Sequence, residues 1–304
     1  MSRPAPRSID DYLATLRAEL AGDDPALIQD ALYDAEEHLR AEAAANPHVS
    51  EAELLERVAA TYGRPEEIAA GYRDTETTVA RALQPPASRR LASPHPLSRF
   101  FAVYVDPRAY SSLFFMVLSL VTGVAYFTFA VTGLSLSIGL AILIFGVPVF
   151  IAFIGIARVI SLGEGRLLEA VSGERMPRRP IHPGRSGTLW EQIRAMLRDA
   201  RTWTTLAYLL LMLPIGIVYF VTAVTGVSVG VSFLLVPLVG VAQRLDWWLP
   251  WGDERILFSP RWLDTPVGWI FCLVFGAAVL TTLLHVARGV VGLHARAAKV
   301  LLVT

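Results

Sequence analysis

The chain has 304 residues, 54% of them hydrophobic, and 27 basic residues balance 27 acidic ones. The apolar share exceeds the roughly 45–50% of soluble domains. The zero net charge hides an asymmetry, since residues 1–85 hold 17 acids and 8 bases and the remainder holds 10 and 19. An acidic N-terminal region argues against direct nucleic-acid binding, which needs a basic face. With one cysteine, Cys272, and no phosphate-loop, metal-ligand or nucleophile–base motif, we expect no disulfide, metal, cofactor or enzymatic activity.

Residues 1–83 are predicted to form an acidic all-helical head. Apolar residues recur there at helical spacing between clear start and stop signals. Those signals are Ser8, Gly22, Asp24-Pro25, Asn46-Pro47, Ser50, Tyr62-Gly63 and Pro65. The polar, acidic N-terminus is not a signal peptide, so we expect the head to stay in the cytosol.

The head carries a cluster of polar residues on its second helix, Glu36, Glu37, His38 and Glu42. Two interpretations are open for this cluster. It is either a metal or proton site, or a solvated acidic face.

Three segments of the head resemble the HAAS-type helical signalling domain. They are Tyr12-Leu13, Glu36-Glu37-His38-Leu39 and the most specific one, Tyr62-Gly63-Arg64-Pro65-Glu66-Glu67-Ile68-Ala69. Such domains are attached to membrane segments and are associated with PadR-family transcription regulators. The resemblance therefore implies a soluble regulator as partner, with a candidate partner surface of Glu36, Glu37, His38, Glu66 and Glu67.

Residues 84–98 are rich in Pro, Ser and Arg, which predicts a semi-extended tether. Residues 99–304 are predicted to be a multi-pass domain in the inner (plasma) membrane. Its uncharged stretches predict spans at about 111–133, 137–158, 203–224 and 266–288, with no acidic residue in a span interior. The arginine-rich segment 158–201 is assigned to the cytosol and 244–264 to the outside, so both termini are expected inside. Whether 229–240 makes a fifth crossing stays open; we expect a partial or bent segment.

The membrane domain repeats internally. At an offset of 93 residues, 13 of the 30 positions in 106–135 are identical to 199–228. At an offset of 130, Arg158 and Arg166 correspond to Arg288 and Arg296. We predict two parallel repeats, at about 99–185 and 186–304.

Residues 95–304 are similar to the membrane domain called the "putative sensor" family, found ahead of histidine kinases in actinobacteria. The motifs that carry the similarity are Phe100-Phe101, Asp106-Pro107-Arg108, the repeated Ala-Val-Thr-Gly-x-Ser, Gly163-x-Gly165-Arg166-Leu167-Leu168-Glu169 and Arg175-Met176-Pro177-Arg178. The resemblance implies a sensory role. We expect no kinase module after Thr304 and therefore expect the output to pass through the head or a partner. Most of the basic residues are arginines, which also suits a high-GC bacterium.

Three groups of membrane-domain residues are candidate functional sites, each with a structural alternative. The outer segment forms either a ligand-sensing lip or an aromatic belt at the bilayer surface. The repeat-related acids and arginines form either a pseudo-symmetric ion-pair ring or helix caps. His285 is either a functional intramembrane group or a structural one near the interface. The candidate sensing lip consists of Trp247, Trp248, Trp251, Asp253, Glu254, Arg255 and Trp262. The repeat-related acids and arginines are Asp106, Arg108, Asp199 and Arg201.

These features favour a membrane sensor in which the acidic head packs against basic inner segments and carries a signal to a soluble regulator. A transporter or permease-associated subunit is the first alternative. It is weakened by the expected absence of acids from the spans. A scaffold that holds a partner at the membrane is the second alternative. Homo-oligomerisation is compatible with each of them.

Overall fold

The computed structural model describes residues 6–83, 100–140, 146–177, 179, 194, 196–245, 263 and 265–303. Helices dominate this part of the chain, and it contains no strand, so the all-α prediction is confirmed. The head holds α1 Ile9–Glu19, α2 Pro25–Ala45, α3 Glu51–Thr61 and α4 Pro65–Leu83. The body holds a 3₁₀ turn Ala102–Val105 and then α5 Pro107–Gly139, α6 Gly146–Ser172, α7 Ala200–Arg244 and α8 Pro266–Val303.

The head helices begin and end where the sequence signals stand. Ser8 and Ser50 accept hydrogen bonds from backbone N–H groups three residues on, at 3.2 and 3.4 Å, which are N-caps. Gly63 has φ +116°, a left-handed conformation that favours glycine, and turns α3 into α4. The buried Tyr12 hydroxyl donates to the Gly63 carbonyl at 2.9 Å and so ties α1 to this turn. Burial raises the pKa of Tyr12, which keeps that donor protonated. The apolar core under these contacts comes from all four helices.

Each of the four body helices is long and apolar enough to cross a membrane, with mean hydropathy of 2.0 to 2.3 over the best 18-residue windows. Their bounds differ from the predicted spans. The second was expected at 137–158, but α5 runs to Gly139 and α6 covers Gly146–Ser172. Helix α6 therefore includes charged residues that the hydropathy pattern assigns to a cytosolic loop.

The stretch 229–240 belongs to α7, one continuous helix of 45 residues. At 1.5 Å per residue it is about 68 Å long. Pro214 and Pro237 lie inside it. Neighbouring helices make such prolines tolerable in apolar helices. The structure therefore replaces the expected partial or bent segment with an extension of α7.

Helices α5 and α7 approach each other at two glycines. A Cβ atom on Gly123 would lie 2.6 Å from the Met212 carbonyl oxygen, and one on Gly216 would lie 2.2 Å from the Ser119 carbonyl oxygen. Only glycine permits backbones this close. The two contacts are equivalent, because the offset of 93 relates Ser119 to Met212 and Gly123 to Gly216.

The two hairpins, α5–α6 and α7–α8, are packed in opposite directions. Leu206, near the start of α7, shares a cluster with Phe153 and Ile154, near the start of α6. Ala109, near the start of α5, instead packs with Leu284 at the midpoint of α8. Helix α7 thus begins at the end of the body where α5 finishes. The prediction of parallel repeats is corrected accordingly: sequence identity shows which positions correspond, but only packing shows the direction of the axis that relates them.

Cysteine pairs distinguish the two arrangements. In a Cys272→Ser background, cysteines at positions 154 and 206 should be joined by a short bifunctional thiol reagent, since those side chains pack together. Positions 113 and 206 are related by the offset of 93 and would lie at one level in a parallel arrangement. The structure places them in different clusters, so we expect no link. Mass spectrometry of linked peptides measures both; a dominant 113–206 link would contradict the opposed packing.

Candidate functional site

A buried polar cluster joins all four body helices. Tyr126 comes from α5, Glu164 from α6, Tyr208 and Tyr219 from α7, and His294 from α8. Glu164 is 0% exposed, Tyr208 3% and His294 6%, while the other two tyrosines are half-buried. We call these five residues the polar cluster. Polar groups buried among apolar helices are costly unless they are hydrogen-bonded.

The polar cluster satisfies these groups with four hydrogen bonds. Tyr126 and Tyr208 donate to the two carboxylate oxygens of Glu164 at 2.8 and 3.1 Å. The Tyr208 oxygen lies 3.0 Å from His294 Nε2, and the Tyr219 oxygen lies 3.3 Å from His294 Nδ1. Because Tyr208 already donates to Glu164, its oxygen accepts from the Nε2–H, and Tyr219 then donates to Nδ1. One continuous chain of hydrogen bonds runs from Glu164 to Tyr219.

The polar cluster has two corresponding halves. The offset of 130 that relates Arg158 to Arg288 also relates Glu164 to His294, and the offset of 93 relates Tyr126 to Tyr219. Each half is therefore a tyrosine bonded to an ionisable residue of the following helix. Tyr208 connects the halves. A phenylalanine, Phe115, occupies the position corresponding to Tyr208 and packs against the ring of His294, with centroids 5.6 Å apart.

The sequence analysis did not identify the polar cluster. The sequence analysis expected no acid inside the spans, whereas α6 continues past the predicted span and carries the fully buried Glu164. The predicted second span ended at 158 and so placed Glu164 in a loop. The signal that would have found it is the offset of 130, applied to Glu164 and His294 as it was to the arginines.

The repeat-related acids begin the helices α5 and α7. Asp106 accepts from the backbone N–H of Arg108 at 2.9 Å, and Asp199 accepts from that of Arg201 at 3.1 Å. Each aspartate is the N-cap of its helix. The helix-cap interpretation therefore describes the contacts of these carboxylates with Arg108 and Arg201.

The same aspartates also form ion pairs between the hairpins. Asp106 lies 3.0 Å from Arg288 of α8, and Asp199 lies 3.3 Å from Arg158 of α6. Asp106 corresponds to Asp199, and Arg288 corresponds to Arg158. The two ion pairs are therefore equivalent contacts in which the hairpins have exchanged roles, like the two glycine contacts between α5 and α7. Exposed pairs of this kind contribute up to about 1 kcal/mol each, so they set register more than stability.

A second site lies between the acidic head and the basic body, where Arg175 and Arg179 follow α6. Arg175 lies 3.3 Å from Asp30 and also contacts Glu76. Arg179 donates its backbone N–H to Asp30 at 2.9 Å and pairs with Asp34 at 3.0 Å. The side chains of Asp30 and Arg175 are only 7% and 15% exposed, so this pair is largely withdrawn from water.

The end of α8 completes this contact. Lys299 lies 2.7 Å from Asp24 of the head and 3.7 Å from Glu174, and its side chain is 13% exposed. Gln29 donates to the backbone carbonyl of Arg179 at 2.7 Å. We call this whole contact the docking interface. Its charged members are acids from the head (Asp24, Asp30, Asp34, Glu76), bases from the body (Arg175, Arg179, Lys299) and Glu174 of the body.

The predicted partner surface of the head makes contacts within the head. Glu36 pairs with Arg40 at 2.6 Å, and His38 stacks on Tyr62 with ring centroids 4.2 Å apart. Glu67 accepts from the backbone N–H of residue 64 at 3.0 Å. The remaining members, Glu37 and Glu66, are exposed. Within the described residues, none of these five forms an ion pair with the body. That part of the chain also holds no group of three or more potential metal ligands.

The structure describes the contacts of His285 but not those of the predicted sensing lip. His285 is exposed; its Nε2 lies 3.0 Å from the carbonyl oxygen of Phe100, and the two rings stack with centroids 5.4 Å apart. The histidine therefore holds the segment that leads into α5. The lip residues lie outside the described residues: Trp247, Trp248, Trp251, Asp253, Glu254, Arg255 and Trp262.

Tyr208→Phe tests the polar cluster. The change removes the hydroxyl shared by Glu164 and His294 and leaves both buried groups with one partner fewer, which costs about 1–3 kcal/mol. We expect the thermal midpoint of the full chain in nanodiscs to fall by several degrees. Tyr110→Phe is the matched control, because that hydroxyl belongs to a half-exposed side chain and donates to the Tyr104 carbonyl. Equal midpoints for the two variants would contradict a stabilising network.

A family model described as "Putative sensor" matches residues 115–302, more than half of the chain and the whole polar cluster. No curated protein and no solved structure matches the chain.

Proposed function

The chain belongs to the "Putative sensor" family, and from that premise we propose that it is an integral membrane sensor whose acidic head transmits a cue to a soluble regulator. Four apolar helices and the family support a sensor in a membrane. The observation that carries the transmission step is the docking interface, because it connects the head to both hairpins through residues that follow α6 and end α8.

The docking interface has the energetics of a reversible contact. Pairing withdraws Asp30 and Arg175 from water, and the desolvation cost of such a pair offsets much of the attraction. Undocking returns both charges to water, so separation does not leave a buried charge without a partner. A contact of this kind is held by a small difference of free energy. A modest rearrangement of the body is enough to shift it.

The position of the polar cluster supports a role for it in that rearrangement. Glu164 lies on α6, whose end leads into Arg175, and His294 lies five residues before Lys299 on α8. A change in hydrogen bonding between Glu164 and His294 would move the two helices that carry the basic half of the docking interface. In this proposal, the body helices receive the cue and the polar cluster couples their movements. The docking interface then passes the change to the head.

We also propose that the body consists of two repeats related by an approximate two-fold axis across the helices. The exchanged glycine contacts, the exchanged Asp–Arg pairs and the two halves of the polar cluster support this arrangement. The head, the segment after α6 and the end of α8 meet at one interface. The polar, acidic N-terminus supports placing the head on the cytosolic side of the inner membrane.

The regulator is proposed to be of the PadR type, on the resemblance of the head to HAAS-type domains. Its contact surface is proposed to be Glu36, Glu37, His38, Glu66 and Glu67. Glu37, Glu66 and Glu67 are exposed while the head is docked. Docking would therefore control whether the head is held at the body or moves freely on its tether, rather than cover this surface.

Charge reversal tests the docking interface. In a Cys272→Ser background, fluorophores at exposed positions 56 and 297 report the distance between head and body. Arg175→Asp and Asp30→Arg should each lower energy transfer, because each places like charges together, and the double variant should restore it. Raising the salt concentration should lower transfer in the parent, since screening weakens the outer pairs. Reversing the exposed Glu53–Arg57 pair within the head is the matched control.

The regulator link has its own measurement. A PadR-type regulator is titrated against the full chain in nanodiscs, with and without Arg175→Asp. We expect the affinity to change several-fold, because the head is free in the variant. Equal affinities would show that docking is a contact without a role in transmission. Absence of binding with both proteins would refute the proposed PadR-type partner.

One observation favours a second function, a proton-coupled transporter. Glu164 and His294 are buried and ionisable, and a hydrogen-bond chain joins them, as in the proton relays of membrane transporters. Proteoliposomes with a pH gradient and a trapped pH dye provide the test. Proton uptake that Glu164→Gln abolishes would favour transport, and a flux equal to that of empty liposomes would exclude it.

A further inference from the structure

The polar cluster has four hydrogen bonds and four hydrogens to fill them. Three are the hydroxyl hydrogens of Tyr126, Tyr208 and Tyr219, and the fourth is on Nε2 of His294. The acceptors are the two carboxylate oxygens of Glu164, the oxygen of Tyr208 and Nδ1 of His294. Donors and acceptors therefore match in number only when Glu164 is ionised and His294 is neutral.

We propose that the polar cluster is a proton-binding site, and that binding of one further proton is the cue that releases the head from the body. The proton comes from water and adds to a carboxylate oxygen of Glu164 or to Nδ1 of His294. The inference rests on the proposed sensor function and names its ligand. It does not require that a proton cross the membrane.

A further proton gives the polar cluster one hydrogen too many. On Nδ1 of His294 it occupies the lone pair that accepts from Tyr219, and on Glu164 it occupies an oxygen that accepts from Tyr126 or Tyr208. Two hydrogens then face each other at one contact unless a hydroxyl turns away. Reversal of neighbouring hydrogen bonds passes the surplus along the chain to one of its ends, which are Tyr126 and Tyr219.

Burial makes these two ends the place where the polar cluster changes. Tyr208 is almost fully buried, so a hydroxyl hydrogen turned away there would lack an acceptor. Tyr126 and Tyr219 are half-buried, so their hydroxyl groups can turn outward. Tyr126 links α5 to Glu164 of α6, and Tyr219 links α7 to His294 of α8. Proton uptake therefore acts on the contacts that hold α6 and α8 in place.

The charge of the polar cluster favours uptake of a single proton. Glu164 is its one ion before uptake, and within the described residues no ion pair includes Glu164 or His294. A buried charge without an opposite charge beside it is costly. One proton leaves the cluster with no net charge.

The other titratable groups packed around Glu164 and His294 are the three tyrosines, which α5 and α7 direct at them. The remaining charged residues of α5 to α8 are those in ion pairs (Arg158, Arg288, Lys299), those that are exposed (Arg108, Arg166, Arg244, Arg296) and those that are half-buried (Glu169, Arg201). On the side of the head, Asp24 faces Lys299 and Asp30 faces Arg175.

Docking and proton uptake oppose each other. Helix α6 leads into Arg175, and α8 carries Lys299 five residues after His294, so the docked head depends on the placement of both helices. A contact changed at Tyr126 or Tyr219 alters that placement. By linkage, the undocked chain binds the proton more tightly by the same factor by which the proton weakens docking. The docked fraction consequently falls as the pH falls.

The test uses the full chain labelled at positions 56 and 297 with pH-insensitive fluorophores, in nanodiscs. Lowering the pH from about 8 to about 5.5, a range that includes the titration of histidine, should reduce the docked fraction several-fold in the parent. Tyr110→Phe removes a hydroxyl outside the polar cluster, so it is the matched control and should keep the response. A docked fraction that stays constant or rises on acidification of the parent would overturn the proposal.

Two variants separate the polar cluster from other groups that acid protonates, such as the carboxylates of the docking interface and the head residues His38 and His48. Tyr219→Phe leaves Nδ1 of His294 with no hydrogen opposite, so an added proton displaces no hydroxyl and the docked fraction should no longer depend on pH. Glu164→Gln carries amide hydrogens where the carboxyl group would gain one, and it should be undocked at both pH values. A response equal to that of the parent in either variant would overturn the polar cluster as the proton site.

Infrared difference spectroscopy gives a second readout that does not depend on docking. Acidification of the parent should change the tyrosine bands, because one hydroxyl of the polar cluster loses its partner. Tyr126→Phe/Tyr219→Phe should remove that change, and Tyr110→Phe should keep it. The change without any effect of Arg175→Asp on docking would sustain the proton site and refute the transmission mechanism. A spectrum unaffected by the double substitution would refute the site.

Discussion

The close approach of α5 and α7 is the constraint on which the rest of the body depends. Gly123 and Gly216 let each backbone lie against the carbonyl oxygen of the other helix, and any side chain there would separate them. At this close approach, both α6 and α8 pack against the α5–α7 pair. The tyrosines of α5 and α7 then reach the ionisable residues of α6 and α8. The polar cluster follows from the packing of two glycines.

Polar contacts act at three levels of this architecture. The Asp–Arg pairs at the helix starts hold the two hairpins in register. The polar cluster joins the hairpins in the interior, where an unsatisfied group is expensive. The docking interface connects the ends of α6 and α8 to the head. Because the interior contacts are few and the outer ones are close to balance with water, a change in the body has a direct route to the head.

The assignment of Glu164 to a loop has a simple origin. Hydropathy ends a span at the first charge, so the second span stopped at Arg158 and Glu164 was assigned to a loop. A carboxylate can lie inside an apolar bundle when tyrosine hydroxyls from other helices satisfy both oxygens. Those tyrosines are 38 and 44 residues away from it in the chain. Periodicity along one helix contains no information on such partners.

The sequence alone determined the helical class, the caps of the head, the number of apolar helices and the correspondence of positions at offsets of 93 and 130. These are local properties, set by spacing, capping chemistry and hydrophobicity within one segment. The tertiary structure decided the opposed direction of the hairpins, the assembly of the polar cluster and the choice of Asp24, Asp30, Asp34 and Glu76 as the acids that meet the body. Each of these features depends on contacts between segments far apart in the chain. Charge composition can predict that an acidic head meets a basic body, but it does not identify the carboxylates that make the contact.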